Sequence, residues 1–238
     1  MAIVTRRVDY QDGATALRGR LYFDDSVAGP RPAVLVSHAW GGRDDFANAQ
    51  AEDMAKLGYV GFALDMYGAG KRANGVEECQ AMMMPFMEDR ALLARRMQLA
   101  LAAVRSQPEV DASRVAAFGF CFGGLCVLDL ARSGADVKGV VSFHGLLKGH
   151  ELPKAAISAK LLVLHGDADP LAPFEDVIAF RNEMNAAGCD WQLHAYGKVL
   201  HAFAVPGANM PGVALHDAVA EARSQTALRN FLAEVLAA

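Results

Sequence analysis

Short apolar runs alternate with amphipathic stretches along the chain. Residues 3–10 and 17–23 flank Asp12-Gly13 and predict an opening antiparallel hairpin. Residues 33–36, Ala-Val-Leu-Val, are continuously apolar, as a parallel strand covered on both faces must be. Asp44 or Asp45 can cap a helix running to about Leu57, with Gly58 in the left-handed closing position. Residues 59–64 predict the next strand. Residues 87–105 predict one long helix, because Leu93, Met97, Leu101 and Val104 recur three or four positions apart. Further strands are predicted at 114–118, 137–143, 161–165 and 191–196. Helices are predicted at 121–132, 174–187 (closed by Gly188) and 214–236. This alternation predicts an α/β fold: a mostly parallel sheet of about seven or eight strands, helices on both faces, and the hairpin at one edge. Ligands of such sheets bind beyond the carboxyl ends of the strands. The search for chemistry therefore turns to the residues directly after each strand.

Composition narrows the function classes. With 238 residues, 53% of them hydrophobic, the chain can bury a core without disulfide or metal staples. A net charge of −4 argues against a nucleic-acid binder or a polybasic membrane binder. No apolar run approaches the roughly 18–20 residues that cross a bilayer, and residues 1–13 lack the apolar segment of a secretory signal. Cys79, Cys121, Cys126 and Cys189 form no C-x-x-C pair and are too sparse for a disulfide scaffold. The expectation is a cytoplasmic protein with reduced thiols, no nucleic-acid or membrane partner, and a small-molecule substrate.

Three polar features follow predicted strands. Gly119-Phe120-Cys121-Phe122-Gly123-Gly124 has the G-x-Nu-x-G form of a nucleophile elbow, with cysteine as the nucleophile. A strand-to-helix turn pushes that side chain clear of the backbone. Its helix N-terminus favours a thiolate and offers N–H groups to an oxyanion. The competing reading is a core cysteine beside a glycine-rich turn; Cys126, further into the same helix, reads as core. Asp167 and Asp169, after the strand at 161–165, can each orient a histidine, although Asp before Pro also starts ordinary turns. His201 lies after the last strand. Cys121, then an aspartate, then His201 is the chain order of the α/β-hydrolases.

These residues resemble the dienelactone hydrolase family of α/β-hydrolases, from about Val34 to the C-terminus. The resemblance is carried by Gly-x-Cys-x-Gly-Gly at 119–124, Gly-x-x-Asp at 166–169, His-x-Phe-Ala at 201–204 and Asp65-Met66-Tyr67. It implies one α/β-hydrolase domain over 1–238 and hydrolysis of an ester or lactone without a cofactor or metal. It selects Asp169 as the acid beside Cys121 and His201, and implies an oxyanion hole from the backbone N–H groups of Phe122 and Trp40. Two positions depart from the family. A glutamate that helps form the thiolate is replaced by Ala39, next to His38, so either His201 alone deprotonates Cys121 or another acid such as Asp44 serves. An arginine that holds a substrate carboxylate is replaced by Val205, with Lys71 or Arg72 as alternative cations. His38, Ala39, Tyr67, His144 and Val205 are the pocket candidates. The methionine-rich segment 79–87 is expected to pack in the core rather than cap the pocket. Rival readings are a non-catalytic binding protein of the same fold, a thiol redox protein, and a metal hydrolase drawing on His38, Cys121, His144, Asp169 and His201.

Overall fold

The computed structural model describes residues 2–152 and 155–237. Its strands are β1 (Ile3–Asp12), β2 (Thr15–Asp24), β3 (Arg31–Ser37), β4 (Val60–Ala63), β5 (Val110–Phe120), β6 (Gly139–Phe143), β7 (Lys160–Gly166) and β8 (Trp191–Tyr196). They form a mostly parallel sheet in the order β1-β2-β4-β3-β5-β6-β7-β8. The helices are α1 (Asp45–Lys56), α2 (Val76–Glu88), α3 (Arg90–Arg105), α4 (Phe122–Arg132), α5 (Phe174–Ala187) and α6 (Ala218–Val235). The chain divides into two compact units, one ending at Phe118 and the other starting at Gly119. Among the described residues, no helix is long and apolar enough to cross a membrane.

In the first unit, β1 and β2 pair antiparallel from Ile3↔Asp24 to Asp12↔Thr15, and Gly13 takes the turn at φ 57°. β2 pairs antiparallel with β4, and β4 runs parallel to β3. α1 starts where the Asp44 carboxylate accepts the Ala47 N–H at 2.9 Å and buries Ala47, Ala51, Met54 and Ala55. The loop after β4 is organised by Asp65, which is 1% exposed. Its Oδ1 accepts from the N–H groups of Tyr67 and Gly68, and its Oδ2 from those of Gly70 and Arg18, all at 2.8–3.0 Å. Tyr10 Oη donates to the Asp65 carbonyl and accepts from its N–H. Asp65 of the Asp-Met-Tyr motif is thus a scaffold for its own loop.

The helix predicted at 87–105 is α3, which starts at Arg90 rather than Met87; residues 76–88 form a separate helix, α2, and the two meet at Asp89. Asp89 leaves the helical conformation at φ −116°, ψ 87°, and its carboxylate caps α3 through the Leu92 N–H at 2.8 Å. A capping carboxylate outweighs the apolar periodicity there. Of α2 only Cys79 and Phe86 are buried, while Met84 is 39% exposed. The methionine-rich segment is therefore a half-exposed amphipathic helix and not core.

In the second unit, β6, β7 and β8 pair in parallel, from Gly139↔Lys160 and from Leu161↔Trp191. α4 is buried along its whole length. The buried guanidinium of Arg132 at its end is neutralised by Asp129 and Glu183 and donates to the Leu147 carbonyl at 3.1 Å, which anchors the segment after β6. The C-terminal helix begins at Ala218 rather than Ala214, because Asp217 caps it through the Val219 and Ala220 N–H groups. Residues before it instead form a small ladder, β9 (Asn209–Met210) with β10 (Ala214–Leu215).

Asp65→Ala is expected to destabilise the protein by at least about 3 kcal/mol, because four N–H groups lose their acceptor and each unsatisfied buried donor costs about 1–3 kcal/mol. Urea unfolding measures it, and a loss under about 1 kcal/mol would contradict the scaffold role.

Candidate active site

Cys121 stands between β5 and α4 at φ 55°, ψ −117°, a conformation that side chains rarely adopt. The sheet holds it there: its N–H donates to the Phe143 carbonyl at 3.0 Å, and its own carbonyl accepts from Gly124 at 3.0 Å. The flanking glycine is sterically required, since a Cβ at Gly119 would collide with the Gly123 backbone. Cys121 is half-buried and caps α4, whose first residue is Phe122. The first N–H groups of a helix have no partner within it.

Asp169 follows β7 and is 2% exposed, whereas Asp167 is exposed. Asp169 Oδ1 accepts the Leu171 N–H at 2.8 Å, and Oδ2 accepts from His201 Nδ1 at 2.7 Å. Because a carboxylate only accepts, Nδ1 carries the proton. Backbone contacts bring the two loops together: the Ala168 N–H donates to the Val199 carbonyl at 3.0 Å. Gly166 permits the approach, as a Cβ there would lie 2.6 Å from the Val199 oxygen and 2.7 Å from that of Leu200. On its other side the His201 backbone is tied to the ladder, donating to Val213 at 3.2 Å and accepting from Leu215 at 2.9 Å.

Burial works against a charge on His201, which is 4% exposed, but the Asp169 bond and the Cys121 sulfur more than offset it. The imidazole pKa is raised from 6.5 to about 10. The thiol acts on this ring through a contact looser than a formed hydrogen bond, since Nε2 is buried with no partner of bonding geometry.

Two further histidines surround His201. His144 is fully buried, and its ring stands edge-on to His201 at 5.0 Å and 67°. Burial first, and the neighbouring His201 second, push its pKa well below 6.5. Among the described residues neither of its ring nitrogens has a partner of bonding geometry on another residue, a state that costs about 1–3 kcal/mol per group. His165, in β7, is 4% exposed, and burial lowers its pKa against the pull of Asp169 and Asp167. Sequence reasoning passed over His165, the steric role of Gly166 and the ladder behind His201. Only the glycine-acid spacing hinted at any of these.

The remaining candidates lie in the first unit or at the surface. His38 is 1% exposed; its Nδ1–H donates to the Ala39 carbonyl at 2.7 Å and its Nε2 accepts the Met66 N–H at 3.2 Å. This neutral ring joins the loops after β3 and β4. Tyr67 stacks on it at 4.9 Å and donates from Oη to the Trp40 carbonyl at 2.8 Å. Ala39 is half-buried, and Asp44 is an exposed helix cap. Arg72 is paired with Asp45 at 2.9 Å, Lys71 is exposed, and Val205 is half-buried in the base loop.

Residues 17–236 match the model of the dienelactone hydrolase family. The chain belongs to that family. A dienelactone hydrolase-like promiscuous phosphotriesterase from metagenomic libraries is 40% identical, with a TM-score of 0.93 and 99% of both chains covered. An uncharacterized protein of Caenorhabditis elegans is 42% identical over 155 residues, 61% of this chain and 95% of that protein. A Yersinia pestis protein provisionally named carboxymethylenebutenolidase is 28% identical over 191 residues, 75% of this chain and 71% of its own.

Asp169→Asn is expected to drop the His201 pKa from about 10 toward 6.5, read by imidazole nitrogen NMR against pH. The sign also fixes the stability profile. Because the folded pKa is raised, the stabilisation is complete below pH 6.5 and disappears as pH rises through about 10. The stability difference between wild type and Asp169→Asn should shrink over that window, and a difference that grows there would contradict the assignment.

Proposed function

We propose that this family member hydrolyses a small ester or lactone through a thiolate at Cys121, with His201 as base and acid and Asp169 as its orienting carboxylate. The reading rests on one observation: a buried 2.7 Å bond fixes His201 on Asp169 while its other nitrogen is left for the sulfur of a strained elbow cysteine. With its raised proton affinity, His201 takes the Cys121 proton itself, a step that draws on no side chain at position 39. His201 alone holds the thiol proton, and no second acid is invoked.

The thiolate attacks the carbonyl carbon, a C–S bond forms, and the oxygen takes the negative charge. Backbone N–H of Phe122 receives that charge. Collapse breaks the C–O bond, and the leaving alkoxide takes the proton from His201 Nε2. Timing follows from electrostatics: once sulfur is acylated it no longer stabilises the imidazolium, so the proton affinity of His201 falls when the proton must leave. Water then attacks the thioester, gives a proton to His201, and the C–S bond breaks to return the thiolate and release the acid. Thiolates expel alkoxides better than amines, which favours esters and lactones over amides. A second reading follows from the 40% identical phosphotriesterase: the same thiolate attacks a phosphotriester at phosphorus, an S–P bond forms as the P–O bond to one alcohol breaks, His201 protonates that leaving oxygen, and water then cleaves the S–P bond to return the thiolate and release the phosphodiester.

p-Nitrophenyl acetate should give a burst of p-nitrophenol that iodoacetamide abolishes. Cys121→Ala is expected to lower kcat/KM by about 10³-fold or more, the scale of losing a covalent nucleophile. Full activity in Cys121→Ala would remove the scheme. No burst and no turnover with any activated ester would favour a non-catalytic binding protein. Paraoxon turnover surviving in Cys121→Ala would remove the second reading.

A further inference from the structure

We propose that His144 is a positioning residue for His201, and that its ring nitrogens, not only its ring shape, serve this purpose. The proposal rests on the reading of Cys121, His201 and Asp169 given above. His144 lies directly after β6, where its N–H donates to the Leu164 carbonyl at 2.8 Å while its φ is held at +36°. Its side chain is enclosed by rings: His201 at 5.0 Å, Phe203 at 5.2 Å and 80°, and Phe120 at 5.9 Å and 42°. Such a niche suits phenylalanine. A neutral imidazole always carries one N–H and one lone pair, and here both nitrogens are buried without a partner. Two orphaned polar atoms on a residue with positive φ are a standing cost that a phenyl ring would remove, and such costs persist where function requires them.

What the imidazole adds over a phenyl ring is an in-plane dipole beside a histidine that must be cationic at rest and neutral after proton transfer. Asp169 holds one edge of His201, and His144 bounds the same ring on another side. A half-turn of His201 about its Cβ–Cγ bond would take Nδ1 off Asp169. A rigid neighbour opposes that rotation, and a neutral one adds no second positive charge. The titratable groups acting around His201 are Asp169, Cys121, His144 and His165. Of these, His144 is fully buried, and among the described residues neither of its nitrogens has a partner of bonding geometry on another residue.

The test is His144→Phe with two readouts. The variant should fold and melt no lower than wild type, because it deletes orphaned polar atoms. Its kcat for p-nitrophenyl acetate should fall by about 10²-fold with KM little changed, the scale of a misplaced catalytic group. By NMR, its His201 should titrate below the wild-type value of about 10. A folded variant with wild-type kcat and an unchanged His201 titration would make His144 an ordinary core residue. A second measurement needs no variant: in wild-type protein the His144 ring nitrogen shifts should move as His201 titrates. Shifts that stay fixed would overturn the proposal even if His144→Phe did not fold. The NMR readings require no substrate, so this proposal and the hydrolytic scheme fail separately: full activity in Cys121→Ala removes the scheme, and an unchanged His201 titration removes the role of His144.

Discussion

The bond from His201 Nδ1 to Asp169 Oδ2 joins residues 32 positions apart, and much of the second unit serves to make it short. β7 and β8 run parallel, so the loops after them leave from the same end of the sheet. Gly166 lets the two loop backbones touch, and the Ala168–Val199 bond holds them in register. The β9–β10 ladder grips the base loop from the other side. Excluding water strengthens the Asp169 interaction enough to overcome the desolvation of a charged imidazole. Without that bond, burial would push His201 toward the neutral form, as it pushes His144.

The site is also where the chain departs from relaxed geometry. Cys121, His144 and Ala202 all have positive φ without being glycine, and each adjoins or belongs to the histidine and cysteine cluster. Each conformation is tied down: Cys121 through Phe143, His144 through Leu164, and Ala202 through Val205, whose N–H its carbonyl accepts. Strained residues that neighbouring structure over-determines are a mark of functional sites. The first unit spends its polar burial differently. Asp65, Tyr10 and His38 are satisfied in closed networks that stiffen the loops after β3 and β4. A satisfied buried group acts as scaffold, whereas His144, His165 and His201 each keep a buried ring nitrogen without a partner of bonding geometry among the described residues.

Elements with both a periodic pattern and a chemical stop were legible from local residues. α5 ends at Gly188 with φ 66°, and β8 spans its apolar-aromatic run, both with the bounds that their composition suggests. Elements whose ends are set by a single carboxylate were not. Asp89 and Asp217 each end one segment and cap the next helix, and nothing in the hydrophobic period marks them above other aspartates. The β9–β10 ladder was hidden for a related reason: Ala214 and Leu215 are good helix formers, and only pairing with distant backbone makes them strand.

At the site, the residue types and their chain order are local information. An elbow glycine pattern, a carboxylate after a strand and a histidine before the last helix can be read along the sequence, because each answers to the geometry of its own turn. That the Asp169 carboxylate reaches His201, how buried the pair is, and that His144 and His165 crowd the same ring are properties of distance across the sheet. Burial and proximity set proton affinity, and neither exists until the chain has folded. The sequence by itself therefore determined the set of candidate groups and the sheet that carries them. The tertiary structure alone decided their charge states, since desolvation and charge pairing depend on neighbours that are remote along the chain.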